Sequence, residues 1–207
     1  LPLAFRRFKA VLVLPGLQRA LALQFLLHRA QRFEPGREFG ELARVLIRLF
    51  LQVASLLVER EHARSVIAYD PNIRLNVEPE LSRWRDTLAW MLPRTHLLKV
   101  SDEDLALLYP GTEPATLAAQ WLQAGVALVV ITRGAHGASA WTATQQASVQ
   151  PVAVQLIDTV GAGDTFQAAL LTALAERGLL SPAALRTLSE AALHEVMGFA
   201  VRAAAIT

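Results

Sequence analysis

Asp158-Thr159-Val160-Gly161-Ala162-Gly163-Asp164-Thr165-Phe166 is the run in this chain best suited to chemistry. It follows an extended apolar stretch from Pro151 to Ile157 and leads into a helical run from Thr165 to Arg177. Two glycines at a strand-to-helix junction let the backbone turn its N–H groups inward. Free N–H groups and the positive dipole end of a helix start together make an anion site. A carboxylate at the mouth of such a site, here Asp164, is costly unless it has work to do. Taking a proton from a hydroxyl that then attacks a phosphate is such work. The plainer reading is a glycine turn that joins a strand to a helix, and it leaves Asp164 unexplained.

Two other phosphate motifs are excluded. No Gly-x-x-x-x-Gly-Lys run followed by Ser or Thr occurs. The dinucleotide pattern Gly-x-Gly-x-x-Gly fails because Phe166 stands where its third glycine belongs. No Gly-x-Ser-x-Gly elbow occurs either, which argues against a serine hydrolase of that type.

Over nine contiguous positions the run resembles the main motif of the ribokinase-like (PfkB) carbohydrate kinases. The resemblance implies that Gly161, Ala162 and Gly163 form the anion hole for the transferring phosphate and that Asp164 is the catalytic base. It also implies that Asp158 orients the loop and lies near a metal, with a monovalent cation such as K+ in the same region. The small and apolar continuation Gln167 to Leu171 fits the same motif.

Three further segments are similar to elements of that family. Asp70-Pro71-Asn72-Ile73-Arg74 resembles the Asp-Pro-Asn-x-Arg run of the fructokinase and ketodeoxygluconate kinase branches. Asn72 and Arg74 would then bind substrate or phosphate oxygens, the arginine as a forked donor. The alternative is a Pro-Asn turn with a solvated arginine. Lys99-Val100-Ser101-Asp102-Glu103-Asp104 occupies the place of the family's Asn-x-x-Glu element, with Ser101 for Asn and Asp104 for Glu. The resemblance implies magnesium held near Asp104, a hard oxygen donor that works through water. Helix capping explains Ser101 and Asp104 equally well. Thr132-Arg133-Gly134-Ala135-His136-Gly137 is similar to the family's turn beside the nucleotide phosphates, where Gly134 and Gly137 would let the backbone approach ATP. A plain turn between strands is the alternative.

The elements that must position these loops alternate in period. Val66 to Tyr69, His96 to Val100 and Val126 to Thr132 read as strands, the last buried on both faces, and Ala138 to Thr142 as a further one. Trp84 to Leu92, a segment capped at Ser101, Thr116 to Ala124, 165–177 and 182–202 read as helices. Alternation of strands and helices predicts an α/β fold with a parallel sheet covered on both faces. The resemblance makes this a three-layer α/β/α ribokinase-like sandwich, mostly parallel, whose N-terminal lid region is missing or replaced by helix. Ligands of such sheets sit at the carboxyl ends of strands, and every motif loop here follows a strand.

Composition sets the outer bounds. The chain has 207 residues and is 53% apolar, enough for one sizeable core. There is no cysteine, so no disulfide or thiolate metal site forms, in agreement with a reducing cytoplasm. Residues 1–65 hold 11 Lys/Arg against 5 Asp/Glu, yet the arginines are scattered and not interleaved with aromatics, so nucleic-acid binding is not expected. Arg44, Arg48, Gln52, Ser55 and Glu59 interrupt the most apolar stretch at helical spacing, which predicts a largely buried helix, with an interfacial one as the alternative, and no membrane span. The histidines show no metal spacing and the four tryptophans read as core.

Residues 1–64 read as an atypical, helical, basic segment, with Glu34 to Arg37 as a linker-like stretch, and 65–207 as the C-terminal two-thirds of a ribokinase-like kinase domain. The expected function is therefore an ATP-dependent sugar kinase, most like fructokinase, using magnesium and binding ATP and a small sugar. A homodimer is compatible with the resemblance. The alternative is a non-catalytic, nucleotide-binding remnant, since the family's glycine-rich, Asn-containing lid sequence is absent from residues 1–64.

Overall fold

Continuous apolar runs become the central strands because both of their faces are covered. The computed structural model describes residues 9–13, 53–75, 79–151 and 161–206. Val66–Asp70 (β2), Leu97–Ser101 (β3) and Leu128–Thr132 (β4) lie side by side and parallel. β2 is buried throughout, and so are the first four residues of β3 and β4. Lys9–Val13 (β1) pairs antiparallel with β2, so a strand stands inside the segment read as helical. Ala138–Trp141 (β5) and Gln146–Val149 (β6) add an antiparallel hairpin, giving the order β1-β2-β3-β4-β5-β6.

The sheet is thus mixed, with a parallel centre and antiparallel flanks. The cause is the length of the connections. Helical crossovers join β2 to β3 and β3 to β4. The turns after β4 and β5 are too short for a crossover and reverse the chain instead.

Period-two alternation sends successive side chains into two cores. On one face Ile67, Tyr69, Leu98, Val100, Val129 and Ile131 pack against Leu81–Met91 (α2), Asp102–Leu108 (α3) and Pro114–Gln123 (α4). A helix over 53–61 (α1) adds Val58 to this core. On the other face Val66, Ala68, Leu97, Leu128 and Val130 meet Ala162–Glu176 (α5), Pro182–Arg186 (α6) and Glu190–Ala204 (α7). The result is three layers, α/β/α.

The stretch 182–202, read as one helix, is two. Ser189 accepts the N–H of Ala192 and starts α7 afresh, while buried Leu188 turns into the core between them. Of the apolar stretch 42–58 only 53–58 lies among the described residues, where it is helical. The linker-like stretch 34–37 and Asp158 lie outside them. No helix among the described residues is long and apolar enough to cross a membrane.

Candidate active site

Because β2, β3 and β4 are parallel, their last residues, Asp70, Ser101 and Thr132, share one edge of the sheet. Ser101 and Thr132 are direct partners across it. All three motif loops that follow these strands therefore leave from the same edge.

The loop after β2 is shaped by backbone conformation and by one buried bond. Asn72 takes φ 47°, a left-handed conformation that asparagine tolerates better than most residues. The Ile73 N–H then donates to Asp104 Oδ1 at 3.1 Å. Asn72 is half-buried and Arg74 is exposed, with the Arg74 guanidinium donating to the Ile73 carbonyl at 2.7 Å.

After β3, Ser101 caps α3 as its sequence position suggests, its Oγ accepting the Asp104 N–H at 3.1 Å. The Asp104 side chain is turned inward and only 5% exposed. Burial raises its pKa, the negative charge of Asp70 raises it further, and Ser101, Lys99 and Arg74 pull it partly back. Asp104 thus joins two motifs: it sits in the capped turn after β3 and anchors the loop after β2.

After β4 a single turn, Gly134–His136, closes when the Arg133 N–H donates to the Gly137 carbonyl at 2.8 Å. The two glycines of this turn have different surroundings. Gly134 has φ 48°, and a Cβ there would meet open space. Gly137 has φ 82°, and a Cβ there would lie 2.1 Å from the Val149 carbonyl oxygen of β6. Close packing of backbone against backbone requires glycine at 137 whatever ligand the turn takes.

At the start of α5, Gly161 is the N-cap residue in a left-handed conformation, φ 93°, and as a glycine it offers no capping side chain of its own. The first intrahelical bond runs from the Thr165 N–H to the Gly161 carbonyl at 2.8 Å. The N–H groups of Ala162, Gly163 and Asp164 precede it, as the sequence implied. The Asp164 side chain is exposed in the first turn of α5, at the positive end of the helix dipole.

Sequence reasoning missed the residue that links this helix start to the sheet edge. Lys99, in β3, is 5% exposed, and its Nζ pairs with Asp70 Oδ2 at 2.9 Å. The same Nζ lies 3.1 Å from the point where a Cβ on Gly163 would sit. The signal was present: a lysine in a strand buried on both faces must find an anionic partner. The start of α5 therefore meets the same edge as the loops after β2, β3 and β4. Among the described residues no three His, Asp or Glu side chains gather as a metal cage.

Comparison with known proteins identifies the family. Residues 52–207 match the pfkB family carbohydrate kinase model, so the match begins ahead of the boundary read at 64. A fructokinase from Rhizobium leguminosarum bv. trifolii is 40% identical over 138 residues, covering 67% of this chain and 42% of that protein. The fructokinase of Vibrio cholerae O395, solved with fructose, ADP and calcium ion, superposes with a TM-score of 0.53 at 30% identity, covering 67% of this chain and 42% of that one. A double-mutant form of it, solved with fructose, ADP and potassium ion, gives 0.54 at 29% identity over the same shares. The chain spans less than half the length of these relatives. The family match, the three-layer fold and the four motifs at one sheet edge make this chain a member of the PfkB family of carbohydrate kinases.

Proposed function

We propose that this chain carries the phosphoryl-transfer machinery of an ATP-dependent sugar kinase with fructose as acceptor. The observation that carries the reading is the meeting of the glycine-led start of α5 with the edge where β2, β3 and β4 end. Such an edge, with a helix N-terminus facing it, is where α/β sheets take anionic ligands. The fructokinase relatives support the choice of sugar.

The residues divide the work by chemistry. Asp164 takes the proton from a primary hydroxyl as it attacks the terminal phosphorus of ATP. The N–H groups at Ala162, Gly163 and Asp164, turned by Gly161, hold the charge that builds on the transferring group. Thr132, Gly134 and Gly137 flank the nucleotide phosphates, and the open space at Gly134 leaves room for one to approach. Asn72 and Arg74 bind the sugar. Magnesium, when bound, offsets phosphate charge. Asp104, presented by the Ser101-capped turn, is the carboxylate that would hold it through water. Asp158 and the proposed K+ site lie outside the described residues. A cysteine-free chain suits a cytoplasmic setting.

The test is ADP release by the purified chain, measured with Mg2+-ATP and a panel of sugars. Release that depends on fructose supports the reading. ATP binding with no sugar-dependent release would replace it with a nucleotide-binding remnant, and no ATP binding at all would remove both.

A further inference from the structure

We propose that Lys99 is a further phosphate-binding residue of this site, its ammonium held by Asp70 so that it reaches a terminal-phosphate oxygen at the mouth of α5. The proposal rests on the kinase reading above and names a contact for that reading.

A lysine in the middle of a sheet is rare, because a buried ammonium without compensation is strongly disfavoured. Among the described residues Lys99 donates to one carboxylate oxygen, Asp70 Oδ2 at 2.9 Å. An ammonium has three protons to donate. The pair itself is incompletely satisfied, since Asp70 Oδ1 is buried with no hydrogen-bond partner. A buried pair left short of partners is poor economy for stability alone, and apolar residues often fill such space at least as well.

Position supplies the reason for the pair. Nζ lies 3.1 Å from the Cβ point of Gly163. In a helix that point is tilted toward the N-terminus. The ammonium is therefore seated at the mouth of α5, beside the N–H groups that precede its first intrahelical bond. A full positive charge there, on a side chain that is itself buried, adds to the partial charge of the helix end. Asp70 has a second duty in this arrangement. It is the last residue of β2 and opens the Asp70-Pro71-Asn72-Ile73-Arg74 loop, so the pair fixes the acceptor loop relative to the phosphate cradle. A Cβ at 163 would ask the ammonium to shift by a few tenths of an ångström.

The test separates charge at the cradle from support of the fold. Lys99→Met alone leaves Asp70 buried and unpaired, so the informative variant is Asp70→Asn with Lys99→Met, which removes both charges. ATP and AMP affinities are measured by calorimetry at fixed Mg2+, beside thermal unfolding. The double variant should melt near the parent and bind AMP as the parent does, while its ATP affinity falls by at least ~10-fold, the share of one charge-assisted contact. An unchanged ATP-to-AMP affinity ratio in the folded double variant would overturn the proposal. If the double variant does not fold, the parent protein decides by NMR: the Lys99 Nζ resonance should move on ATP and stay in place on AMP, and equal response to both would overturn it. A parent that binds neither nucleotide defeats the kinase reading itself, an outcome distinct from failure of Lys99 alone.

Discussion

Ile73 donates its amide N–H to the buried carboxylate of Asp104 at 3.1 Å, across 31 residues of sequence. This bond locks the loop after β2 onto the capped turn after β3. Two segments that look like separate motifs in the sequence are one unit in the fold. The bond holds the loop at the residue between Asn72 and Arg74.

Asp104→Ala removes the acceptor and leaves a buried N–H unpaired. The expected loss is about 1–3 kcal/mol, the usual penalty for such a group. Asp104→Asn keeps an oxygen acceptor in the same place and removes a charge that burial disfavours. It should therefore unfold near the parent in urea. Equal stability of the Ala and Asn variants would show that the loop does not depend on this bond.

Stability should depend on pH through His96. Its Nδ1 accepts the Ile67 N–H at 3.1 Å, which requires the nitrogen to be unprotonated. Burial lowers the His96 pKa, and the positive charges of Arg186 and His62 lower it further. Between the lowered folded value and the ordinary value of about 6.5, the unfolded chain binds more protons than the folded one. Stability then rises with pH across that window and is lost as pH falls through it. His96→Asn offers an oxygen acceptor that does not titrate. Urea midpoints taken from below to above the ordinary histidine range should show a flatter profile for His96→Asn than for the parent.

The two glycines of the turn after β4 should respond differently to alanine. Gly134→Ala places a Cβ in open space, so the cost is that of a left-handed residue, about 1–2 kcal/mol. Gly137→Ala adds a collision with the Val149 carbonyl, and β6 must move. It should destabilise the protein clearly more than Gly134→Ala, read as the difference in unfolding midpoint. If Gly134→Ala also weakens ATP binding while the fold holds, the open space there is used by the nucleotide.

What the sequence showed and what it hid follow from the range of the interactions. The strands β2, β3 and β4 were legible because each is a local run of apolar residues. The cap at Ser101 was legible because donor and acceptor lie three residues apart. The start of α5 was legible for the same reason. Long-range facts were hidden. β6 is a short, half-exposed strand, held by pairing with β5 and packing on α7. The packing demand for glycine at 137 comes from β6, which a local reading of the turn does not reveal. The break at Ser189 was masked because helical periodicity runs through Leu188. The Lys99–Asp70 pair needs strand register to be seen, although the lone lysine in an apolar strand pointed toward it.

The exposed carboxylate of Asp164 makes a clean test of the chemistry. It lies in the first turn of α5 and outside both cores, and Asp164→Asn keeps the shape of the side chain. The variant loses the capacity to take a proton. Turnover in an active form should fall by ~10²–10⁴-fold, the usual share of a general base. ATP affinity should change little, because the cradle is made of backbone N–H groups and those remain. Single-turnover rates with saturating ATP and fructose, set beside calorimetric ATP affinity, separate the two effects. Unchanged turnover would remove Asp164 from the mechanism. A parallel loss of ATP affinity would mean instead that the carboxylate shapes the cradle, and the base would have to be sought elsewhere along the same sheet edge.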